Sequence, residues 1–205
     1  MYISSNVSKK MIGAKIYGIP SISTNPLDNS WCIRMSGTEG TVCQHCYSIR
    51  SLKTYHASGN KVYSENFTEL QKPLSEVPFL NYAYFRFHAN GELGGTEHFR
   101  NFVRIAEANP HCTFTLWTKR HRLVSSFLAG GRGGKPENLI LIYSSPKLNV
   151  KADLPKWFDK VFTVYDQEHA LEINCRQRCI DCLKCYQKNG PVYINEVGRK
   201  QGGYL

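Results

Sequence analysis

The chain has 205 residues, a formal net charge of +10 and 41% hydrophobic residues. This length suits one domain with a full hydrophobic core, and the composition excludes a disordered chain. No apolar run approaches the roughly 20 residues that cross a bilayer, and residues 1–13 lack the apolar core of a secretory signal. We therefore expect one domain over residues 1–205 that lies in the cytoplasm and has no membrane partner.

The first region of this domain, residues 1–60, is predicted to be mainly loop. Pro, Gly, Asn and Ser recur between residues 18 and 31, and such clusters are typical of turns. Hydrophobic periodicity predicts one helix around Tyr47–Leu52 and, just beyond this region, another over Lys61–Leu70.

Strands and helices alternate in the central region, residues 81–166. Runs of aromatic and β-branched residues predict strands at 81–88, 112–119, 137–145 and 160–166. Helices are predicted over 95–110, with Thr96 as N-cap and Pro110 as the stop, and over 121–131. Alternation at this spacing predicts an α/β fold with a parallel sheet and right-handed crossovers, similar to a partial (β/α) barrel.

Polar residues, with one glycine among them, follow the predicted strands of the central region. They are His88, Asn90, Gly91 and Glu92 after the first strand, Lys119 after the second, Ser145 after the third and Asp166 after the fourth. Polar residues are ordinary at any one strand end. Because the carboxyl ends of parallel strands meet at one edge of a sheet, four such ends together predict a binding site there.

The chain contains eight cysteines, which in a reducing cytoplasm indicate metal binding rather than disulfides. Cys112 opens a predicted core strand, where a free cysteine acts as a small hydrophobic residue. The other seven fall into two sets. The first thiol group consists of Cys32, Cys43 and Cys46; the second, within the C-terminal segment 170–205, consists of Cys175, Cys179, Cys182 and Cys185.

The second thiol group has the spacing C-x3-C-x2-C-x2-C. A tetrahedral zinc ion with Zn–S distances of about 2.3 Å brings its sulfurs to about 3.8 Å from one another, and zinc proteins reach this by joining two separated cysteine pairs. One short run of four thiols instead suits the wider corners of an iron–sulfur cubane. We expect a 4Fe-4S cluster here, with zinc as the alternative.

The first thiol group supplies only three ligands. Three cysteines on a second 4Fe-4S cluster leave one of its irons open to a substrate or cofactor. Catalytic zinc sites are similar, because three protein ligands leave the fourth position of the metal open. Alternatively, His45 or His56 completes a closed zinc site, or His88 occupies the fourth position. With the iron open, it would face strand ends that carry His88, Glu92 and Lys119, which we expect to be the catalytic residues.

Three cysteines followed by strand–helix units resemble the radical S-adenosylmethionine enzymes, although the spacing here is C-x10-C-x2-C. The resemblance implies that S-adenosylmethionine binds the open iron. It also implies a cofactor-binding role for Asn90, Gly91 and Glu92, which stand where those enzymes have a Gly-Gly-Glu-like motif that contacts the methionine amine.

A resemblance to the phage gene product 88 family covers most of the chain. It rests on four motifs: Cys43, Cys46 and Tyr47; Arg86, His88, Gly91 and Glu92; Thr118 and Lys119; and Cys185 and Tyr186. This resemblance implies a phage or prophage origin, hence the host cytoplasm, and two metal centres. It implies no particular reaction.

Three functions are compatible with these patterns. One is an iron–sulfur enzyme of the radical S-adenosylmethionine kind, and another is a non-catalytic iron–sulfur protein that transfers electrons or senses redox state. The third is a zinc-stapled module for nucleic acid or another anionic ligand, which the sequence pI of about 9.2 favours. The identity of the bound metal separates the third function from the other two. The residues identify neither the substrate nor an oligomeric state.

Overall fold

The computed structural model describes residues 1–7, 14–53, 59–131, 133–200 and 203–204. The helices are α1 (Ser30–Ser36), α2 (Tyr47–Lys53), α3 (Gly59–Leu70), α4 (Thr96–Ala108), α5 (His121–Ala129) and α6 (Cys179–Cys182), with a short 3-10 turn at Lys184–Tyr186. The strands are β1 (Ser21–Ile22), β2 (Tyr84–Phe87), β3 (Thr113–Thr118), β4 (Leu139–Ser144), β5 (Lys160–Tyr165), β6 (Tyr193–Val197), β7 (Arg199–Lys200) and β8 (Gly203–Tyr204).

Six strands form one sheet in chain order, β1 to β6, and every neighbouring pair is parallel. Strands β1 and β6 are its edges, so the sheet is open, as in part of a barrel. This confirms the predicted α/β fold with a parallel sheet. Strands β7 and β8 form a separate antiparallel pair.

One face of the sheet packs against helices α4 and α5, and we call it the outer face. There the ring of Phe87 stacks on Phe102 of α4 at 4.1 Å and on Phe114 of β3 at 5.0 Å between centroids. Helix α5 joins this core through buried Val124 and Phe127. Burying each such aromatic ring contributes roughly 1.5–3 kcal/mol, so this face supplies much of the folding free energy.

The opposite, inner face carries charged side chains among apolar ones. Paired residues of parallel strands point to the same side, and the register places Arg86, Trp117, Lys160 and Glu196 on this face. The C-terminal cysteine segment covers it: Tyr186 is only 5% exposed and its ring lies 6.4 Å from that of Trp117. The second thiol group is therefore built against the inner face of the sheet.

The predicted central elements are present, with small differences at their ends. The predicted N-cap Thr96 was wrong: Thr96 is the first helical residue of α4, and the extended residue Gly95 caps the helix without a side-chain hydrogen bond. The prediction also missed β1, α1 and β6. The first two lie in the turn-rich region, and α1 buries none of its residues, so it lacks the apolar face that would reveal it.

Candidate functional site

The loop after β2, residues 88–95, is held by side chains and backbone from several elements, and we call it the β2 loop. The backbone nitrogen of Thr24 donates to the Asn90 oxygen at 3.0 Å, and the nitrogen of Asn90 donates to Ser23 Oγ at 3.2 Å. The hydroxyl of Tyr47, at the start of α2, donates to the Ala89 oxygen at 2.5 Å. The first half of the loop is thereby tied to the ends of β1 and the start of α2.

Two further side chains hold the second half of the β2 loop. Asn29 Nδ2 donates to the backbone oxygens of Glu92 and Leu93 at 3.0 and 3.2 Å. Arg120 Nη1 donates to the oxygens of Leu93 and Gly94 at 2.7 and 2.8 Å. With so many backbone groups engaged, the loop is a fixed platform rather than a free connection.

Gly91 occupies a position in the β2 loop that only glycine suits. Its φ is +95°, and a Cβ there would lie 2.1 Å from Thr24 Oγ1 and 2.5 Å from the Thr24 carbonyl oxygen. The close approach of the two backbones, from the ends of β1 and β2, therefore requires the absence of a side chain.

The Glu92 carboxylate is buried, with 4% of the residue exposed. Its Oε1 accepts hydrogen bonds from the Leu93 nitrogen at 2.8 Å and from Thr118 Oγ1 at 2.5 Å. Its Oε2 accepts from the Lys119 nitrogen at 2.8 Å. Glu92 thus joins the β2 loop to the end of β3 and brings a fixed negative charge to the carboxyl edge of the sheet.

The first thiol group is assembled from α1 and the loop that follows it. Cys32 lies on α1, whose N-cap is the same Asn29 that binds the β2 loop. Cys43 and Cys46 lie in a turn where the Cys46 nitrogen donates to the Cys43 oxygen at 3.1 Å. The turn is fixed to the end of β4, because the Val42 nitrogen donates to the Pro146 oxygen at 2.9 Å.

The thiols of the first group act on one another electrostatically. Burial raises the pKa of Cys32 well above its ordinary value, and the charges of Glu92, Cys46 and Cys43 raise it further, against a lowering by Lys119. Burial also raises the pKa of Cys43, which Lys119 lowers and Cys46 and Glu92 raise. The Cys32 and Cys43 thiols are therefore within electrostatic reach of Cys46, Glu92 and Lys119. A metal that binds these thiols must displace their protons.

Lys119 supplies the positive charge of this site. Burial lowers the pKa of its ammonium group, but the charges of Cys43, Glu92 and Cys46 raise it, and the net shift is upward. The side chain is therefore an ammonium ion at neutral pH. A cation in this position stabilises thiolates in the first thiol group or an anionic ligand at the carboxyl edge.

His88 lies at the end of β2 with φ of +62°, which turns its ring towards α4. The Gly94 nitrogen donates to His98 Nδ1 at 3.1 Å, so His98 carries its proton on Nε2 and donates it to His88 Nε2 at 3.2 Å. The proton of His88 is then on Nδ1, which has no hydrogen-bond partner among the described residues. The ring packs at 5.1 Å from that of Phe102, in the outer core.

Both histidines resist protonation in the folded protein. Burial and, next, the charge of His98 lower the pKa of His88 well below its usual range, and burial lowers that of His98 to about 3. An unfolded chain binds these protons below pH 6.5, whereas the folded chain does not. Histidine-linked stability is therefore complete above pH 6.5 and is lost as the pH falls below it.

We expect acidification from pH 7.5 to 5.5 to reduce the free energy of unfolding by about 1.4 kcal/mol for each of the two histidines, in addition to any contribution from other groups. Denaturant unfolding at the two pH values measures this. His98→Leu should lower stability at both values but show a pH-dependent loss about 1.4 kcal/mol smaller than wild type. An identical pH dependence in the two proteins would show that His98 titrates normally.

The second thiol group occupies α6 and the turns beside it, against the inner face. The pKa of Cys185 is raised to about 12, mainly by burial. The charges of Cys175, Cys179 and Cys182 also raise this pKa, and the charge of Arg86 lowers it. All four thiols are therefore close enough to influence one another. Leu183, with φ of +50°, forms the turn that lets the chain reverse between α6 and Cys185.

Arg86, on β2, is a cation that acts on the second thiol group. Its guanidinium stacks over the Trp117 ring at 4.0 Å and donates from Nε to the His88 oxygen at 3.1 Å. More than half of the Tyr47 residue is exposed, but its hydroxyl is buried, and this burial raises the pKa of the hydroxyl. The charge of Arg86 lowers that pKa, and the charge of Cys46 raises it. Arg86 also lowers the pKa of Cys185, so its charge reaches both Tyr47, which follows the first thiol group in the chain, and the second thiol group.

Within the described ranges, no set of three or more His, Cys, Asp or Glu side chains is arranged closely enough to hold a metal ion. The seven predicted cysteine ligands accordingly stay a prediction. Of the alternative fourth ligands, His45 is exposed, His88 faces α4, and His56 lies outside the described residues.

The prediction from sequence missed three residues that build these sites. Asn29 could have been recognised, because an asparagine just before a helix is a frequent N-cap. Lys15 and Glu196, which form an ion pair beside the second thiol group, carry no local signal, since 181 positions separate them in the chain.

The fold and site define an α/β protein with an open parallel sheet, with cysteine-bearing segments at its carboxyl edge and on its inner face. The chain belongs to the Gene product 88 family, a phage gene product family whose model matches residues 7–201. No match was found among curated proteins or solved structures. None of the helices in the described part of the chain has the length and apolar character to cross a membrane.

Proposed function

We propose that this chain is a phage-encoded iron–sulfur protein of the host cytoplasm with two 4Fe-4S clusters, one on each thiol group. The observation that supports the proposal is that the charges of Glu92 and Lys119, at the carboxyl edge of the sheet, act on the Cys32 and Cys43 thiols, as does that of Cys46. Four further thiols on one short segment suit a second cluster. The ligands of a cubane bind different irons, so their sulfurs lie farther apart than those around one zinc ion.

The donor set fits such clusters in its chemistry. Both groups consist of thiols, the soft ligands that iron–sulfur clusters use. Cations stand beside each group and offset the negative charge of thiolates: Lys119 at the first group, and Arg86 at the second. When bound, a 4Fe-4S cluster supplies one-electron redox chemistry.

We further propose that the first thiol group leaves an open position that S-adenosylmethionine fills, as in a radical S-adenosylmethionine enzyme. Asn90, Gly91 and Glu92 would then hold the methionine part of the cofactor. The β2 loop is suited to that role because its backbone is fixed by Thr24, Asn29 and neighbouring groups. Glu92 retains acceptor capacity beyond its three hydrogen bonds, since a carboxylate has about four lone-pair sites.

The chain's other residues would act on the ligand in distinct ways. Lys119 would attract an anionic group of the cofactor or substrate, and Glu92 would attract a cationic one. His88 would act by position: its ring faces α4, and its backbone oxygen accepts from Arg86. Two alternative functions use the same thiols. A non-catalytic redox protein would hold both clusters but have no open iron. A zinc-stapled nucleic-acid module would hold zinc in place of both clusters.

Metal analysis tests the proposal directly. Protein purified without oxygen should be brown and contain about eight iron and eight sulfide per chain, because each cubane holds four of each. Iron, acid-labile sulfide and zinc are measured on the same sample. A colourless, folded protein with stoichiometric zinc would contradict the iron–sulfur proposal and favour the zinc-stapled module.

A further inference from the structure

The second thiol group has a charge pair at its side that the proposed clusters do not by themselves explain. Lys15 Nζ donates to Cys175 Sγ at 3.3 Å and to the Cys175 backbone oxygen at 2.8 Å. The same ammonium forms an ion pair with Glu196 on the inner face of β6. One ligand thiol therefore receives a charge-assisted hydrogen bond from a lysine that is itself balanced by a carboxylate.

The backbone fixes Lys15 in this place. The Cys179 nitrogen donates to the Lys15 oxygen at 2.7 Å, so the residue is tied to the second thiol group at both its backbone and its side chain. Nearby, Gly18 packs against Ile180, within α6, and a Cβ there would be only 3.6 Å from that side chain. The segment of residues 14–18 thus lies directly on the cysteine segment.

Both charges of the pair are partly shielded from water. The side chain of Lys15 is 34% exposed and that of Glu196 is 26% exposed. Solvent screens charges in such positions less than on an open surface. The potential of an iron–sulfur cluster depends on nearby charge and on hydrogen bonds to its sulfurs, because reduction adds negative charge to the cluster and its thiolates.

From this geometry we infer that Lys15 and Glu196 form an opposed pair that sets the reduction potential of the cluster on the second thiol group. Lys15 stabilises the reduced cluster through its charge and its hydrogen bond to Cys175. Glu196 destabilises the reduced cluster and limits the effect of Lys15. This inference rests on the proposed function, since it requires an iron–sulfur cluster at the second thiol group.

The test is a redox titration of anaerobically purified full-length protein, followed by electron paramagnetic resonance. Lys15→Met should shift the midpoint potential of one of the two clusters to a lower value, because it removes both a cation and a hydrogen bond. Glu196→Gln should shift the same cluster to a higher value, because it removes an anion. Lys15→Arg should restore most of the wild-type potential, and the double variant should lie between the two single variants.

The control is Arg100→Met. Arg100 and Glu97 form an ion pair on α4 with side-chain exposures of 36% and 20%, close to those of the Lys15 pair, but on the outer side of the sheet. This variant should leave both potentials unchanged.

The outcomes separate the two claims. If wild-type protein holds no reducible iron, the proposed function fails and this inference fails with it. If iron is present but the Lys15 and Glu196 variants shift the potential in the same direction, or not at all, the pair is only structural and the proposed function stands. Opposite shifts of one cluster support the inference.

Discussion

Replacing Gly91 with alanine should destabilise the protein by about 3–5 kcal/mol, near the upper end of single substitutions. The new Cβ would lie 2.1 Å from Thr24 Oγ1 and 2.5 Å from the Thr24 carbonyl oxygen, and the residue has φ of +95°. The side chain of Thr24 can rotate away, but its backbone oxygen can move only with the end of β1. Denaturant unfolding measures the loss through the midpoint concentration.

A matched variant separates the two causes of this loss. Gly131 also has positive φ, +64°, but a Cβ there would meet none of the described atoms within 4 Å. Gly131→Ala should therefore lower the free energy of unfolding only by the cost of holding alanine in the left-handed backbone conformation, about 1–2 kcal/mol. Equal losses at the two positions would mean that the ends of β1 and β2 separate easily, and that the β2 loop is no fixed platform.

The sequence predicted the central sheet well because the strands are buried on both faces. In β4, LILIYS, five of six residues are buried, and such continuous apolar runs are characteristic of parallel sheets. Strand β6, YINEV, has two adjacent polar residues in place of an apolar run or a regular alternation, and it follows the cysteine segment, so its pattern was less distinct. Helix α1 buries no residue, and the features that mark it are its caps, Asn29 at the start and Gly37 at the end.

The candidate site was predictable in its residue types and less so in its geometry. Glu92 and Lys119 lie beside the first thiol group because the ends of neighbouring parallel strands meet, a rule that needs only strand order. The direction of His88 depends on its φ of +62°, which turns the ring to α4, and no sequence pattern indicates that angle. The Lys15–Glu196 pair depends on how the two ends of the chain meet.

Loss of one ligand should affect the two thiol groups differently. Cys43→Ala should remove the cluster at the carboxyl edge, and with it about half of the iron, while the sheet stays folded. The outer core, built around Phe87, Phe102 and Phe114, includes none of the first-group cysteines. In wild type, S-adenosylmethionine should change the electron paramagnetic resonance spectrum of the reduced protein by binding the open iron. In Cys43→Ala that change should disappear.

Cys182→Ala should have the larger effect on folding, because the second thiol group holds the segment that covers the inner face. Tyr186, in that segment, packs on Trp117 and on Tyr84, whose ring centroid lies 5.4 Å away. A metal site that forms with the fold contributes its binding free energy to stability, so this variant should lose solubility or unfold at lower denaturant concentration.

Cys112→Ala provides the matched control for both variants. Cys112 is a fully buried cysteine of the outer core and belongs to neither thiol group. Its replacement should cost roughly 1 kcal/mol of packing and leave the iron content and the response to S-adenosylmethionine unchanged.

If Cys43→Ala unfolds the chain as fully as Cys182→Ala, the two groups do not divide into a reactive and a structural centre. If S-adenosylmethionine leaves the wild-type spectrum unchanged at saturation, the first cluster has no position open to it, and the redox function without S-adenosylmethionine is favoured.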